Sequence, residues 1–531
     1  MKMAIETRII GIVLLLVILF AAWAGPHIHG DSVSYYMMIS SLAKDGDLVL
    51  DHKEAQRWDK EKFEAVPVGV YVRMDAAGNM RYAKPVIYPV VAAFFFLIFG
   101  RLGLAGLNGL LLGLCIVFSY LGLRRYLGRR VSLLIAAGFF LFSFVPAYIS
   151  WVTPDIFLFF SCSLCIFLLS VNKPMACAFI IGLIAGEKIT FLLMLIPLAG
   201  DLAAKNKIKQ LLKALGFCSF GLILTILLTR YCLKTFFAYS DPKYILFGGA
   251  IPQSLEELRL RLVLAPSELA DMRFNSPQLF SSNIVNFFTG RFSGILWYGF
   301  PAAVCILIYL WRRKSVPREQ TSQGDSILLT AVILAVVLLV FRPLNYFGGI
   351  GFFGNRYFFI YPALLLPAAF KGIKKPLLIF LFFLPAVLVS SQVLVNSLNL
   401  NNWHKSSWRG KNVDGLAAHG CTMPLRYAGL EVNAVENLPL YSFKFFEGLT
   451  LYAPRGLKNG ADKQIFLEGG QEAVFVLKNK EASLKLKTSA GEFVIRPVLV
   501  LADKVSKELR SFFYFKPGSD LKLISVIFAD K

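Results

Sequence analysis

The apolar stretch VIYPVVAAFFFLIFG (residues 86–100), Arg101, and LGLAGLNGLLLGLCIVFSYLGL (residues 102–123) decide the fold class of this chain. A helix needs about 20 apolar residues to cross the ~30 Å hydrocarbon core of a bilayer. The second run reaches that length, whereas the first, with about 15 residues, predicts a re-entrant or interfacial helix. We therefore expect one membrane span here, preceded by a shorter membrane-embedded segment.

The arginines at the end of this stretch predict its orientation. Arg124, Arg125 and two further arginines follow the second run, and cytoplasmic loops of membrane proteins carry an excess of Lys and Arg. Applied to each apolar window, this rule predicts about eleven crossings, with the N-terminus in the cytoplasm and the polar loops 25–85 and 234–291 outside. The windows counted are residues 9–24, 102–123, 131–150, 155–171, 175–186, 189–202, 215–233, 294–310, 327–341, 357–370 and 376–395.

The composition of the chain also indicates a membrane protein. Of its 531 residues, 56% are hydrophobic and 17% are charged, whereas soluble domains carry about 25% charged residues. The formal charge of +23 agrees with basic cytoplasmic loops, so we expect no nucleic-acid partner. Most of the eight cysteines lie inside apolar runs, which argues against a disulfide framework.

Residues 399–531 contain no spanning window and predict a soluble domain on the outer side of the membrane. Apolar and polar residues alternate in segments such as 483–487, and Asn459-Gly460 is a turn signal, which together indicate short strands. The predicted fold class is an all-α polytopic membrane domain over residues 1–398, with a C-terminal β-rich extracytoplasmic domain.

Four charged residues share one predicted membrane face, because each lies at the outer end of a predicted span or membrane-embedded segment. These residues are Asp31, Lys84, Asp155 and Arg356. Two carboxylates and two cations at one face suit acid/base chemistry on an anionic substrate that is embedded in the membrane.

Each of the four residues also has a purely structural interpretation. Asp155 could cap the helix that it begins, and Asp31 could cap an interfacial helix over residues 32–44. Lys84 and Arg356 could be interfacial anchors that reach lipid head groups. Their common face favours the functional interpretation.

The order of short motifs resembles that of the GT-C superfamily of membrane glycosyltransferases. An acidic residue and tyrosines follow the first span (residues 31–36), Lys84-Pro-Val-Ile-Tyr88 precedes an apolar run, and Pro154-Asp155 begins a later span. The segment GGIGFFGNRYF (residues 348–358) is similar to a glycine-rich segment of many bacterial members. In the order of these motifs the chain is similar to the aminoarabinose transferases of lipid A and to the protein O-mannosyltransferases.

This resemblance implies inverting transfer of a sugar from a polyprenyl-phosphate donor to an envelope acceptor, at the outer face of the bacterial inner membrane. Asp31 would be the general base for the acceptor hydroxyl, and Asp155 would orient the acceptor or the sugar. Lys84 and Arg356 would hold the lipid phosphate. The further substrate-binding residues expected are Tyr35, Tyr88 and Lys188.

Metal binding and two other classes of function are the alternatives. The sequence assigns no definite cofactor, but His27 and His29 flank Asp31 closely enough to hold a divalent metal. A transporter or flippase of lipid-linked sugars would need charges along a pathway through the membrane midplane. A non-catalytic scaffold would use its outer domain to bind an envelope partner. Glu187 and Lys188 are expected to form an ion pair that lines the cavity.

Overall fold

A computed structural model shows a chain that is mostly helical up to residue 381. The structure describes residues 2–26, 28, 31–60, 70–238, 244–246, 262–264, 277–289, 294–313, 318–343, 355–381, 383–384, 441–446, 449–453, 458–459, 465–467, 473–478, 483–495, 499–502, 509–515 and 521–529.

The helices of the described residues are numbered here in chain order, and three 3-10 turns lie between them at Val145–Tyr148, Ile189–Met194 and Pro362–Leu365. The helices are α1 (Lys2–Ala24), α2 (Asp31–Lys44), α3 (His52–Lys60), α4 (Ile87–Leu123), α5 (Arg129–Leu141), α6 (Asp155–Ser170), α7 (Pro174–Ala185), α8 (Leu195–Ala204), α9 (Ile208–Leu233), α10 (Pro277–Thr289), α11 (Ile295–Tyr298), α12 (Phe300–Arg313), α13 (Arg318–Phe341), α14 (Leu366–Phe370) and α15 (Pro376–Leu381).

Three helices among the described residues are long and apolar enough, by length and composition, to cross a membrane. They are α4, α9 and the part of α13 from Ser322 to Phe341. Shorter apolar helices, among them α6 and α7, accompany them. These helices make the chain a membrane protein, while the number of about eleven crossings stays a prediction.

Helix α4 turns back on itself at Gly100, beside the point at which Arg101 divides the two apolar runs. Gly100 has φ +57° and ψ −145°, a conformation that L side chains rarely adopt. A Cβ atom on Gly103 would lie 2.3 Å from the carbonyl oxygen of Phe95, although the same separation along a straight helix is about 12 Å. The segment before Gly100 therefore folds back onto the segment after it, and a re-entrant path of residues 86–100 in the membrane stays a prediction.

Prolines divide several of the predicted spans into shorter elements. The window at residues 131–150 is helical only in its first part, and a 3-10 turn that contains Pro146 follows. The window at residues 357–370 is not one continuous helix, because it holds turns, a 3-10 turn that begins at Pro362, and the short helix α14 with Pro367 near its start. Proline lacks the N–H that a helix interior needs, and its ring blocks the preceding turn.

Small residues let α7 and α9 pack backbone to backbone. A Cβ atom on Gly182 would lie 1.9 Å from the carbonyl oxygen of Cys218, and one on Gly221 would lie 2.3 Å from that of Phe179. Close approach through small residues is the usual way in which membrane helices associate. This packing holds the end of α7, and with it Glu187 and Lys188, in a fixed place.

The two long polar loops meet in one antiparallel sheet with the strand order β2-β1-β3-β4. The guanidinium of Arg73 adds to this junction by donating to the carbonyls of Phe237 and Ala238 at 3.3 and 3.0 Å. Both loops therefore lie at the same end of the helices. The strands are β1 (Val70–Met74), β2 (Met80–Tyr82), β3 (Tyr244–Leu246) and β4 (Leu262–Leu264).

The described residues from 441 onward form two five-stranded antiparallel sheets, with the orders β11-β10-β14-β8-β7 and β12-β13-β9-β6-β5. Leu484 and Leu486 are buried, as the alternation at residues 483–487 predicts. The strands are β5 (Tyr441–Phe446), β6 (Leu449–Ala453), β7 (Lys458–Asn459), β8 (Ile465–Leu467), β9 (Ala473–Lys478), β10 (Ser483–Thr488), β11 (Gly491–Ile495), β12 (Leu499–Ala502), β13 (Leu509–Phe515) and β14 (Leu521–Ala529).

The helical hairpin in α4 predicts different effects for two glycine substitutions in the same helix. Gly103→Ala should lower the thermal unfolding midpoint, because its methyl group meets the backbone of Phe95 and overpacking costs about 1–3 kcal/mol. Gly106→Ala is the matched control, since its Cβ has open space and alanine is the better helix former by about 1 kcal/mol. Equal midpoints for the two purified variants in detergent would contradict the hairpin.

Candidate active site

Asp31, Lys84, Asp155 and Arg356 form one continuous chain of ion pairs. Lys84 Nζ lies 2.9 Å from Asp31 Oδ1. Arg356 bridges the two carboxylates, with Nη2 3.1 Å from Asp31 Oδ2 and Nη1 3.0 Å from Asp155 Oδ2. The fold thus joins all four residues that the sequence placed on one membrane face, although Asp31 and Arg356 are 325 positions apart.

Helix ends position the two carboxylates. Asp31 is the first residue of α2 and Asp155 is the first residue of α6, so each negative charge lies at the positive end of a helix dipole. The carboxylate of Asp155 accepts a hydrogen bond of 2.7 Å from the Thr153 hydroxyl and pairs with Arg356. Pairing with Arg356, and not helix capping, therefore gives the Asp155 carboxylate its orientation.

Loops position the two cations. Lys84 lies in the segment between β2 and α4. Arg356 follows Asn355, whose Oδ1 accepts the N–H of Phe358 at 3.0 Å and so orders the turn on which Arg356 stands. The glycines at residues 348–354, which carried part of the family resemblance, lie outside the described residues.

The four side chains differ in their access to solvent. The side chains of Arg356 and Asp155 are 5% and 4% exposed, whereas that of Asp31 is 27% exposed. Burial alone would raise the pKa of Asp31, but the charges of Lys84 and Arg356 outweigh it and hold this pKa well below its usual range. Asp31 is thus the accessible member of the chain, and it is fully ionised at neutral pH.

The same pairing acts on Lys84 in the opposite direction. Burial would lower the pKa of Lys84, but the carboxylate of Asp31 outweighs this effect and raises it. Lys84 Nζ also lies 4.3 Å from the centre of the Tyr71 ring and 5.9 Å from that of Tyr35. Lys84 is therefore a permanent positive charge at this end of the helices.

Aromatic rings surround the cations. Tyr35 meets Tyr88 edge to face, with ring centres 5.8 Å apart, and Tyr88 is fully buried beneath the site. Tyr357 lies beside two cations, because Lys188 Nζ is 3.6 Å and the Arg356 guanidinium carbon is 5.3 Å from its ring centre. Tyr35, Tyr88 and Lys188, which the sequence analysis selected as substrate-binding residues, all lie next to the ion-pair chain.

Glu187 has a role that the sequence analysis did not predict. Its carboxylate accepts the backbone N–H of Tyr88 at 3.0 Å, within the first turn of α4. The predicted ion pair with Lys188 is wrong, because Lys188 stacks on Tyr357 instead. The side chain of Glu187 is buried, and a buried carboxylate needs hydrogen-bond donors. It therefore fixes the start of α4 and, three residues before it, Lys84.

No metal site is found among the described residues. They contain no group of three or more His, Cys, Asp or Glu side chains that could hold an ion. The proposed alternative pair, His27 and His29, lies outside the described residues.

Comparisons with known proteins give a distant structural likeness. Neither a protein-family model nor a curated protein sequence matches it. One similar solved structure is the crystal structure of ArnT from Cupriavidus metallidurans bound to undecaprenyl phosphate, with 14% sequence identity and a TM-score of 0.45 over 74% of this chain and 70% of that chain.

Lys188 should make anion binding at this site depend on pH. Burial, and secondarily the nearby Arg356, lower the pKa of Lys188 to about 7, so its positive charge is present below pH 7 and is lost as the pH rises through 7. We therefore compare the affinities of the wild type and of Lys188→Arg for a polyprenyl phosphate. The ratio of wild-type to variant affinity should fall as the pH rises through 7. The fall should be about tenfold for each unit by which the bound phosphate raises this pKa.

The comparison with Lys188→Arg cancels any titration of the ligand itself, because both proteins bind the same probe. Binding can be measured by isothermal titration calorimetry in detergent at several pH values. A ratio that does not change between pH 6 and pH 9 would show that Lys188 does not contribute its charge to this site.

Proposed function

We propose that this chain is a glycosyltransferase that moves a sugar from a polyprenyl-phosphate donor to a hydroxyl group of an envelope acceptor. The observation that carries the proposal is the chain of ion pairs from Lys84 through Asp31 and Arg356 to Asp155. A lipid phosphate needs cations, and an acceptor hydroxyl needs a carboxylate as general base. Both kinds of group stand side by side here, at the positions that the resemblance assigns to them.

The donor phosphate would bind between Lys84 and Arg356. The two nitrogen atoms that now contact Asp31 would turn to the phosphate oxygens, since a guanidinium fork and an ammonium group both favour phosphate. Arg356 would keep its second contact with Asp155, so it would stay in place during the exchange. Binding of the anion would therefore release Asp31 from two cations at once.

This release gives Asp31 its function as a base. Before donor binding, its pKa is held too low for effective proton removal. A phosphate that shares the positive charge of Lys84 and Arg356 raises the proton affinity of Asp31 at the moment when the sugar is in place. Donor binding would thus prepare the base, and the enzyme would not activate an acceptor without a donor.

The transfer step follows from these positions. The acceptor oxygen forms a bond to the anomeric carbon, and its proton passes to the carboxylate of Asp31. The bond between the anomeric carbon and the phosphate oxygen breaks, and its electron pair stays on the phosphate. Lys84 and Arg356 stabilise the negative charge that grows there. A single displacement of this kind inverts the configuration at the anomeric carbon.

Asp155 would orient the substrates through Arg356 and Thr153. Its carboxylate is nearly inaccessible, at 4% exposure, so it is a poor candidate for direct proton transfer. Tyr35 would line the space beside Lys84, where its ring already lies. This mechanism assigns no step to a divalent metal near His27 and His29.

We place the reaction at the outer face of a bacterial inner membrane. The sheet that joins the two polar loops lies at the same end of the helices as Lys84, which follows β2 directly. The basic ends of α4 and α12, at Arg125 and Arg312, would then face the cytoplasm, as the positive-inside rule requires. The N-terminus would be cytoplasmic, and residues 399–531 would be a periplasmic β-rich domain.

The general-base assignment predicts the effect of Asp31→Asn. Asparagine keeps the size of the side chain but cannot accept the proton, so transfer of labelled sugar should fall by roughly 10²–10⁴-fold. Asp31→Glu should also impair transfer, because the longer side chain displaces the carboxylate. Asp47→Asn, in an exposed turn after α2, is the matched control. Wild-type transfer by the Asp31→Asn protein would remove this loop from the active site.

The phosphate-binding assignment predicts the effect of Arg356→Lys. Lysine keeps the charge but cannot contact Asp155 and a phosphate through two separate nitrogens. The KM for the donor should rise by about tenfold or more, the equivalent of one lost charge-assisted hydrogen bond. Arg81→Lys is the matched control, since Arg81 pairs with Asp75 in the outer sheet at 2.7 Å. An unchanged donor KM in Arg356→Lys would leave Arg356 with a structural role only.

A further inference from the structure

A cavity of about 90 Å³ lies at the end of α4 and α6 that is opposite to the ion-pair chain. Its wall includes Arg125, just after α4, and Ser170, the last residue of α6. Asp155 begins α6, and 16 residues of helix span about 24 Å. The cavity is therefore separate from the candidate active site by nearly the thickness of a membrane core.

Four basic side chains line this cavity. Arg125, Arg312, Arg313 and Lys371 line it, and no Asp or Glu is among the described residues of its wall. One of these charges is balanced nearby, because Arg313 Nε lies 2.7 Å from Asp325 Oδ1. Arg125, Arg312 and Lys371 thus line the cavity with no carboxylate among the described residues of its wall.

Two of the arginines also hold helix ends together. Arg125 donates to the carbonyl of Ser170 at the end of α6, and Arg312 donates to the carbonyl of Ala369 near the end of α14 at 3.2 Å. A guanidinium carries five N–H donors, and each of these contacts uses one Nη group. Both arginines are thereby fixed in position while further donors can serve a ligand.

The other side of the cavity is apolar and aromatic. The rings of Phe118 and Phe167 are stacked there, with centres 5.0 Å apart. The volume is several times the roughly 10–15 Å³ that one water requires. It accommodates a small anionic group, and the adjacent apolar wall suits the hydrocarbon to which such a group would be attached.

We propose that this cavity binds the phosphate of an anionic phospholipid of the cytoplasmic leaflet. Arg125, Arg312 and Lys371 would surround the phosphate, and an acyl chain would lie along Phe118 and Phe167. Basic cavities between membrane helices on the cytoplasmic side are the usual form of such sites. The bound lipid would neutralise the converging charges and join the ends of α4, α6, α12 and α14. The assignment to the cytoplasmic leaflet rests on the membrane orientation proposed above, whereas the lipid-binding site itself does not.

Native mass spectrometry of the full-length chain in detergent can test this site. The probes are phosphatidylglycerol, phosphatidylcholine and inorganic phosphate. The wild type should bind one phosphatidylglycerol in preference to phosphatidylcholine. Arg125→Gln combined with Lys371→Gln should weaken that binding by roughly 30-fold, since each basic residue near a lipid head group contributes about fivefold.

A double variant of equal charge provides the matched control. Lys209→Gln combined with Lys213→Gln removes two exposed positive charges from α9, outside the cavity, and should change the affinity by less than about twofold. Lys371→Gln alone should weaken phosphatidylglycerol binding about fivefold. This single variant replaces the first double variant if that protein does not fold, because Lys371 contacts the ring of Tyr126 and holds no helix end. Each protein is first checked for its unfolding midpoint.

Three results would overturn the proposal. Equal weakening in the two double variants would mean that the lipid responds only to net charge. A wild type that does not distinguish phosphatidylglycerol from phosphatidylcholine would have no anion site. Displacement of phosphatidylglycerol by inorganic phosphate at the same concentration would assign the cavity to a free phosphate and not to a lipid.

Discussion

The contact on which the rest of the structure depends is that of one buried arginine with two carboxylates. The side chain of Arg356 is 5% exposed, and its two terminal nitrogens reach Asp31 and Asp155. A buried charge needs partners, and removing one partner of such a pair costs about 3–5 kcal/mol. The start of α2, the start of α6 and the turn at residue 356 must therefore meet at one point. Burial of charges in such a cluster carries a desolvation penalty that can exceed the attraction between them. We therefore propose that the cluster serves to bind a ligand.

Part of this arrangement could be predicted from the sequence. The positive-inside rule predicts one membrane face for Asp31, Lys84, Asp155 and Arg356, because each lies beside an apolar run. The length of a run and the charge of a loop can be read directly from the sequence. The break in α4 near residue 100 was predicted for the same reason.

Other parts depend on contacts between distant segments, which a single sequence does not contain. The pairing of β1 with β3 joins two loops that are polar but otherwise unrelated, and their strands are short. The sequence does not predict the contact of Glu187 with the start of α4, because the adjacent Lys188 suggests an ion pair between these two residues instead. The only available signal was a carboxylate between two apolar segments. The breaks at Pro146, Pro362 and Pro367 could have been predicted, because proline interrupts a helix and these prolines stand inside the apolar windows.

In the proposed mechanism a lipid phosphate takes the place of Asp31 between Lys84 and Arg356. The most direct measurement is a structure of the chain with a polyprenyl phosphate bound in a lipid nanodisc. We expect phosphate oxygens within hydrogen-bond distance of both Lys84 Nζ and Arg356 Nη2. The Asp31 carboxylate should have left at least one of these nitrogens, and the contact between Arg356 and Asp155 should be unbroken. A phosphate bound elsewhere, with all three ion pairs intact, would contradict it.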